Sequence, residues 1–412
     1  MKALTWHGQR DVRVDSHPDP KIEEPTDAII KVTSTGICGS DLHLYEVLGP
    51  FLDPGDILGH EPMGIVEEVG PEVPDLKVGD RVVIPFNVSC GHCWMCGHGL
   101  QSQCETTQVR EHDTGAALLG YTKLYGQIPG GQAEYLRVPQ AQYGPIKVPD
   151  GPSDDRFLYL SDVLPTAWQG VDYAQIPRGG SVVILGLGPI GEMAARIAQH
   201  RGAETVIGID LVQDRLQRAA AHGVHAIDLS AVDDVKAAVL ELTNYRGPDA
   251  VIEAVGMEAH GAPIGKLAQQ LASFLPDRLA QPLMKTAGVD RLSALHLSID
   301  LVRRGGTVSI LGVYGGAADP MPMLTMFDKQ IALRMGQANV KRWIDDIRPL
   351  LEQDDDVLGV EGFASHRLPL SEAPEAYAAF QQKQDGGFKF VLEPHGPAAA
   401  TASDRATASV GA

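Results

Sequence analysis

The sequence predicts an α/β protein in two parts. One is β-rich and carries metal-ligand motifs; the other is a doubly wound parallel sheet. Three observations lead there. Residues 1 to about 163 hold short apolar runs broken by frequent Gly and Pro, which reads as short strands and turns. Residues 181–210, SVVILGLGPIGEMAARIAQHRGAETVIGID, alternate strand-like and helix-like runs, the mark of a parallel sheet with crossover helices. The stretch CGHCWMCGHGLQSQC, Cys90 to Cys104, concentrates four of the five cysteines of the chain in one lobe.

A chain of 412 residues exceeds one ordinary core and implies two or three domains. Its 44% hydrophobic and 21% charged residues suit a water-soluble globular protein. A formal net charge of -19 repels phosphate backbones and anionic lipid, which argues against nucleic acid or a membrane surface as partner. The opening MKALTWHGQRDVRV lacks the apolar core of a signal peptide, and no apolar run has bilayer length. The expected location is the cytoplasm, where thiols stay reduced, and this disfavours reading the four cysteines as two disulfides.

Cys90, Cys93, Cys96 and Cys104 follow the spacing C-x2-C-x2-C-x7-C. Four thiolates this close can converge on one tetrahedral Zn²⁺, which offsets their mutual repulsion. An iron–sulfur cluster would use the same ligands, and a redox C-x-x-C pair would use two of them. A zinc closed by four protein ligands leaves no room for substrate, so the chemistry is expected elsewhere. Cys38, in GICGSDLH, and His60-Glu61, in ILGHEPMGIVEEVG, offer one soft and two harder ligands, a set that suits a second zinc. Singly, each would pass as a packing or surface residue.

The run Gly186-Leu187-Gly188-Pro189-Ile190-Gly191 lies between a strand and a helix, and Asp210 ends the next strand about twenty positions on. This is a dinucleotide fingerprint in its proper context. Gly186 makes the turn, Gly188 admits the pyrophosphate, and Gly191 lets helix and strand close up. The helix N-terminus faces the phosphates. Asp210 is expected to accept hydrogen bonds from the ribose hydroxyls and to repel a 2′-phosphate, which favours NAD over NADP. The runs DAVIEAVG (249–256) and GGTVSILGVYGG (305–316) read as further strands whose C-terminal ends line the cofactor cleft. Between them, from 257 to 303, lies a longer connection than this fold usually needs. Its plain reading is an oligomer contact. The final GPAAATASDRATASVGA is small, polar and low in complexity, and is read as disordered.

Together these motifs, in this order, resemble a zinc-dependent medium-chain dehydrogenase of the alcohol dehydrogenase superfamily. The resemblance runs from Met1 to about Pro394 and includes Gly59-His60-Glu61-Pro62-Met63-Gly64. It implies a GroES-like catalytic domain over residues 1–163, a Rossmann NAD-binding domain over 164–336, a return to the first domain over 337–395, and a tail over 396–412. It implies two zinc ions, one structural at the four cysteines and one catalytic. In the family the catalytic zinc takes Cys, His and one further side chain. This chain has no sixth cysteine for that place, and LSDVLPTAWQG puts Asp162 there. A residue in this position could instead cap the helix that follows. Asp162 and PFNVSCGHC are similar to the glutathione-independent formaldehyde dehydrogenases and the related formaldehyde dismutase. That branch also carries an insertion at 257–303, which implies a cover over the adenine side of the cofactor as the alternative to an oligomer contact. The sorbitol and threonine dehydrogenase branches usually show Glu there.

What the resemblance implies for the remaining residues is specific. Cys38, His60 and Asp162 hold the zinc, Glu61 reaches or tunes it, and Asp41 orients His60. Ser40 and then His43 relay the substrate proton, although His43 alone would pass as a solvated surface residue. Phe86 forms part of the pocket wall. Thr166 lies near the nicotinamide, Arg215 reaches the ribose, and Val255, Gly312, Gly336 and Gln337 border the cofactor. Lys389 meets the pyrophosphate. The implied activity is hydride transfer between NAD and an alcohol or aldehyde hydrate, with formaldehyde-type substrates favoured, in a homo-oligomer. A dismutase that retains its cofactor and a general alcohol or polyol dehydrogenase are alternatives. A non-catalytic binding protein on the same fold would be expected to lack a zinc ligand. A zinc-ribbon nucleic-acid binder would need basic residues in the cysteine lobe, which holds none.

Overall fold

The computed structural model describes residues 1–256, 292–314, 320–383 and 386–396. Most of the 257–303 connection and nearly all of the C-terminal tail, about which expectations were stated above, therefore lie outside the described residues. Two sheets organise the chain. The first part supplies β1 (Lys2–Gly8), β2 (Asp11–Ser16), β3 (Ala28–Ile37), β4 (Glu61–Val69), β5 (Arg81–Val83), β6 (Tyr135–Val138) and β7 (Ile146–Lys147). The second supplies β8 (Ser181–Leu185), β9 (Thr205–Asp210), β10 (His225–Asp228), β11 (Ala250–Glu253), β12 (Thr307–Ile310) and β13 (Ala332–Met335). The chain then adds β14 (His366–Pro369) and β15 (Phe390–Glu393) to the first sheet, in the order β14-β15-β3-β4-β5-β7, with β6 also paired to β3.

The second sheet is wholly parallel in the order β10-β9-β8-β11-β12-β13. Its central strands are apolar on both faces, as a sheet covered by helices on each side requires. Val182, Val183 and Ile184 of β8, and Ala250, Val251 and Ile252 of β11, are fully buried. Strand order reverses between β8 and β11, so the crevice beyond their C-terminal ends is where a dinucleotide binds in such folds.

Register in the first sheet decides the chemistry. The antiparallel pairing of β3 with β4 sets Gly36 opposite Glu61, and that of β15 with β3 sets Phe390 opposite Ile37. Cys38, His60-Glu61 and Lys389 therefore meet at one end of three adjacent strands. Gly36 is needed there: a Cβ on it would lie 1.9 Å from Glu61 Oε2. The helix Val163–Ala174 joins the two sheets and brings Asp162, the residue before it, to the same place. One continuous core runs from Met63 and Val83 through Leu160 and Leu164 to Val182 and Ile184. Among the described residues no helix is long and apolar enough to cross a membrane.

Candidate active site

Two clusters of potential metal ligands stand out. Within each, one ligand atom from every residue lies within 4.8 Å of the others. In the cysteine lobe, Cys93 Sγ and Cys104 Sγ are 3.9 Å apart. The sulfurs accept backbone N–H groups: Cys104 from Cys90 at 3.4 Å, Cys90 from Cys93 at 3.4 Å, and Cys93 from Cys96 at 3.5 Å and Glu105 at 3.4 Å. Such donors stabilise thiolates. Burial pushes the Cys104 thiol up, but the Thr107 hydroxyl and backbone N–H groups outweigh it and bring the pKa to about 6. No cysteine is disulfide-bonded. The donor set fits a structural Cys₄ zinc.

The second cluster is mixed and lies at the wall of a cavity of about 430 Å³. Cys38 precedes the helix Gly39–Glu46, where its N–H donates to Asp41 Oδ2 at 2.9 Å. The Asp41 carboxylate also lies 3.1 Å from His60 Nδ1, which leaves Nε2 facing the cluster. Nε2 is 3.5 Å from Asp162 Oδ2 and 3.1 Å from Ser40 Oγ, and Cys38 Sγ is 3.6 Å from Asp162 Oδ2. Asp162 stands at the N-cap of its helix yet makes no side-chain cap hydrogen bond. Its Oδ1 accepts the Thr166 hydroxyl at 2.5 Å, and Oδ2 turns to Cys38 and His60. The helix-capping alternative thus gives way to a side chain aimed at the cluster.

The electrostatics fit a divalent cation. Asp41, Glu61 and Asp162 crowd around Cys38 and His60, all buried, and Lys389 adds one positive charge. Burial opposes charge on His60, but Asp41 and Asp162 prevail and hold it well above the ordinary imidazole value. Burial raises the Cys38 thiol, and the charges of Glu61 and Asp162 raise it further. Burial also favours a neutral Asp162, but His60 and Thr166 outweigh it and lower its pKa. A cluster that draws protons to its histidine has negative charge to share with a metal.

Lys389, expected at the pyrophosphate, lines the cavity. Its ammonium is fully buried, ion-paired with Glu61, and donates to the Ile37 carbonyl at 3.1 Å. Register places it beside the metal-ligand cluster, where Glu61 takes its charge.

The other expected residues fall along the same cavity. Ser40, His43, Phe86 and Thr166 line it, and His43 is buried, not a solvated surface residue. Gly186, Gly188, Pro189, Ile190, Asp210, Arg215, Val255, Gly312, Gly336 and Gln337 line it as well. Gly186 takes φ +85, and a Cβ on Gly191 would lie 1.8 Å from the Gly186 carbonyl, so helix and turn close as the fingerprint requires. Asp210 accepts the N–H of Leu187 at 2.6 Å, and Arg215 lies 3.7 Å from it.

Several residues gave no sequence signal. Tyr121 stands edge-on to His60 with ring centroids 6.5 Å apart, and Tyr125 packs on Tyr121. Gln132 donates to Gly36 O at 3.1 Å and Asp41 Oδ2 at 3.3 Å, and accepts from the Tyr377 hydroxyl at 2.8 Å. Gln169 donates to the carbonyls of Gly336 at 3.2 Å and Gln337 at 3.0 Å. These are long-range contacts between residues of ordinary type, and no local motif marks them.

A β-rich sheet, a parallel sheet with a dinucleotide-type turn and two clusters of metal-ligand side chains define a zinc-type dehydrogenase. Comparison with known proteins agrees. Residues 24–150 match the alcohol dehydrogenase GroES-like domain and residues 189–273 the zinc-binding dehydrogenase domain. The uncharacterised zinc-type alcohol dehydrogenase-like protein AdhB of Bacillus subtilis is 40% identical over 96% of this chain and 100% of its own length. The formaldehyde dismutase of Pseudomonas putida is 33% identical over 96% of this chain and 98% of its own. The solved alcohol dehydrogenase TADH from Thermus sp. ATN1 superposes with a TM-score of 0.79 at 34% identity, covering 95% of this chain and 99% of that one. The chain belongs to the zinc-type alcohol dehydrogenase family and is an oxidoreductase.

Proposed function

We propose that this chain transfers a hydride between NAD and an alcohol or aldehyde hydrate, with formaldehyde-type substrates favoured. The observation that carries the reading is one cavity with Cys38, His60 and Asp162 along one part of its wall and Gly186, Gly188 and Asp210 along another. Bound there, zinc would supply Lewis acidity toward the substrate oxygen and NAD the hydride acceptor. The chain's own groups supply the rest. Cys38, His60 and Asp162 hold the metal, and Asp41 fixes the ring of His60. Glu61, paired with Lys389, tunes the cluster from its buried side. Ser40 and His43 carry the substrate hydroxyl proton away. Phe86, Leu118 and Tyr121 give the cavity an apolar wall that excludes water. Asp210 favours NAD, because a 2′-phosphate would meet its carboxylate.

The substrate preference is supported by Asp162 in place of a second catalytic cysteine and by likeness to a formaldehyde dismutase. Dismutation with a retained cofactor is a second reading. It is supported by Ser293, Ala294 and Leu297, which lie in the last part of the long connection and line the cavity. Sheet membership supports residues 1–163 and 337–395 as the catalytic part and 164–336 as the cofactor part. A homo-oligomer is supported by β13, paired on one side only among the described residues, with Met335, Leu324 and Phe327 exposed nearby.

NADH absorbance after mixing enzyme with formaldehyde, with and without added NAD and beside a panel of primary alcohols, tests the proposal. NADH formation from formaldehyde that needs added NAD but no glutathione is the expected result. Methanol and formate formed without added NAD would favour dismutation. Activity on longer alcohols alone would overturn the substrate reading, and no activity on any would overturn the mechanism.

A further inference from the structure

Glu253 ends β11 as a fully buried carboxylate after three buried apolar residues. Such a group is costly unless donors surround it. Its Oε1 accepts the N–H groups of Val255 and Gly256, each at 2.8 Å. Its main-chain carbonyl accepts those of Leu311 at 2.8 Å and Gly312 at 3.0 Å. Burial raises the pKa of the carboxyl, and the Gly256, Val255 and Gly312 N–H groups and the Tyr314 hydroxyl offset it only in part. Packing leaves no slack: a Cβ on Gly312 would lie 2.3 Å from Glu253 Oε2, and one on Gly256 would lie 2.6 Å from Val313 N. One side chain thus ties the loop after β11 to the loop after β12.

Both loops face the cavity, through Ala254 and Val255 on one side and Leu311, Gly312 and Val313 on the other. Val255 packs against Gly186, where a Cβ would lie 2.8 Å from Val255 Cγ2. Leu311 packs against Gly170, on the helix that follows Asp162, where a Cβ would lie 2.4 Å from Leu311 Cδ1. The clamped pair therefore runs from the pyrophosphate turn toward the metal-ligand end, while Glu253 stays behind it.

We propose that Glu253 is a positioning residue for the nicotinamide half of the cofactor, holding these two loops at the spacing that half requires. The proposal rests on the cofactor reading above. It separates from a merely structural role because ADP-ribose lacks the nicotinamide ring. In Glu253→Gln the shape is kept and the amide oxygen can still accept the Val255 and Gly256 N–H groups, but the negative charge that strengthens those hydrogen bonds is lost.

The experiment measures dissociation constants of NADH and ADP-ribose for the full-length, zinc-loaded wild type and Glu253→Gln. NADH should weaken about tenfold or more and ADP-ribose by less than about threefold. Zinc content and melting temperature should be near wild type. Equal weakening of both ligands, or of neither, overturns the proposal. Should Glu253→Gln fail to fold, Tyr314→Phe decides: a larger loss for NADH than for ADP-ribose supports the clamp, and an unchanged ratio overturns it. A wild type that binds neither ligand overturns the cofactor reading and this inference with it.

Discussion

The two ligand clusters differ in where their residues come from. Cys90, Cys93, Cys96 and Cys104 lie in one short loop whose own backbone N–H groups solvate the sulfurs. Cys38, His60 and Asp162 come from the end of β3, the start of β4 and the head of a later helix, and they line a cavity. A local cluster can form as soon as its loop closes on an ion, so its metal acts as a staple. A dispersed cluster exists only after β3, β4 and the head of that helix have packed together, so it can leave one side open to substrate. Local assembly gives stability here, and long-range assembly gives access.

Breaking the open cluster should have the largest effect. Asp162→Ala is expected to lower kcat/KM by about 10³-fold or more while the protein still folds, since the Lewis-acid contribution is worth several kcal/mol. Steady-state kinetics beside metal analysis checks this, with one zinc expected to remain per chain. Breaking the closed cluster should act on stability instead. Cys104→Ser is expected to cost about 3 kcal/mol or more and to make unfolding sensitive to chelators, because metal binding there is folding free energy. Thermal melts with and without chelator read it. An equal effect of both substitutions on stability would erase the contrast.

A smaller effect should come from the residue that aims His60. Asp41→Asn is expected to weaken zinc at the open cluster by about 10- to 100-fold, with the cysteine lobe untouched. Competition with a chromophoric chelator measures it.

The smallest effect is one of pH. At the open cluster the Cys38 and His60 pKa values are both raised, so protons must leave before metal enters, and affinity rises with pH. At the cysteine lobe Cys104 is already brought down to about 6 and Cys93 is lowered, although burial raises Cys96. The lobe should therefore load at lower pH than the open cluster. Cobalt titration of metal-free protein separates the two, because a four-thiolate site absorbs far more strongly than a site with one thiolate. The reverse order of loading would break this part of the comparison.

The same contrast explains what could be read without coordinates. The cysteine spacing, the glycine-rich turn and Asp210 are local features, in which function is set by residues a few positions apart or by one strand–helix unit. Cys38, His60 and Asp162 were legible because family resemblance supplied the frame. Gln132, Tyr377 and Gln169 were not, because their partners lie on other elements and their residue types carry no chemical signal. Lys389 shows the limit most clearly. Its charge and its place near the C-terminus were plain, but its partner depends on β15 pairing with β3 in one register.

The two-part α/β organisation, the four-cysteine lobe and the dinucleotide turn follow from local pattern in the chain. Periodicity and short spacing are physical constraints that act along the chain. Long-range packing alone sets the pairing of Glu61 with Lys389, the turn of Asp162 from its helix toward His60, and the joining of two loops by Glu253. Each depends on strand register or on the docking of separate elements, and those are fixed by packing across the molecule.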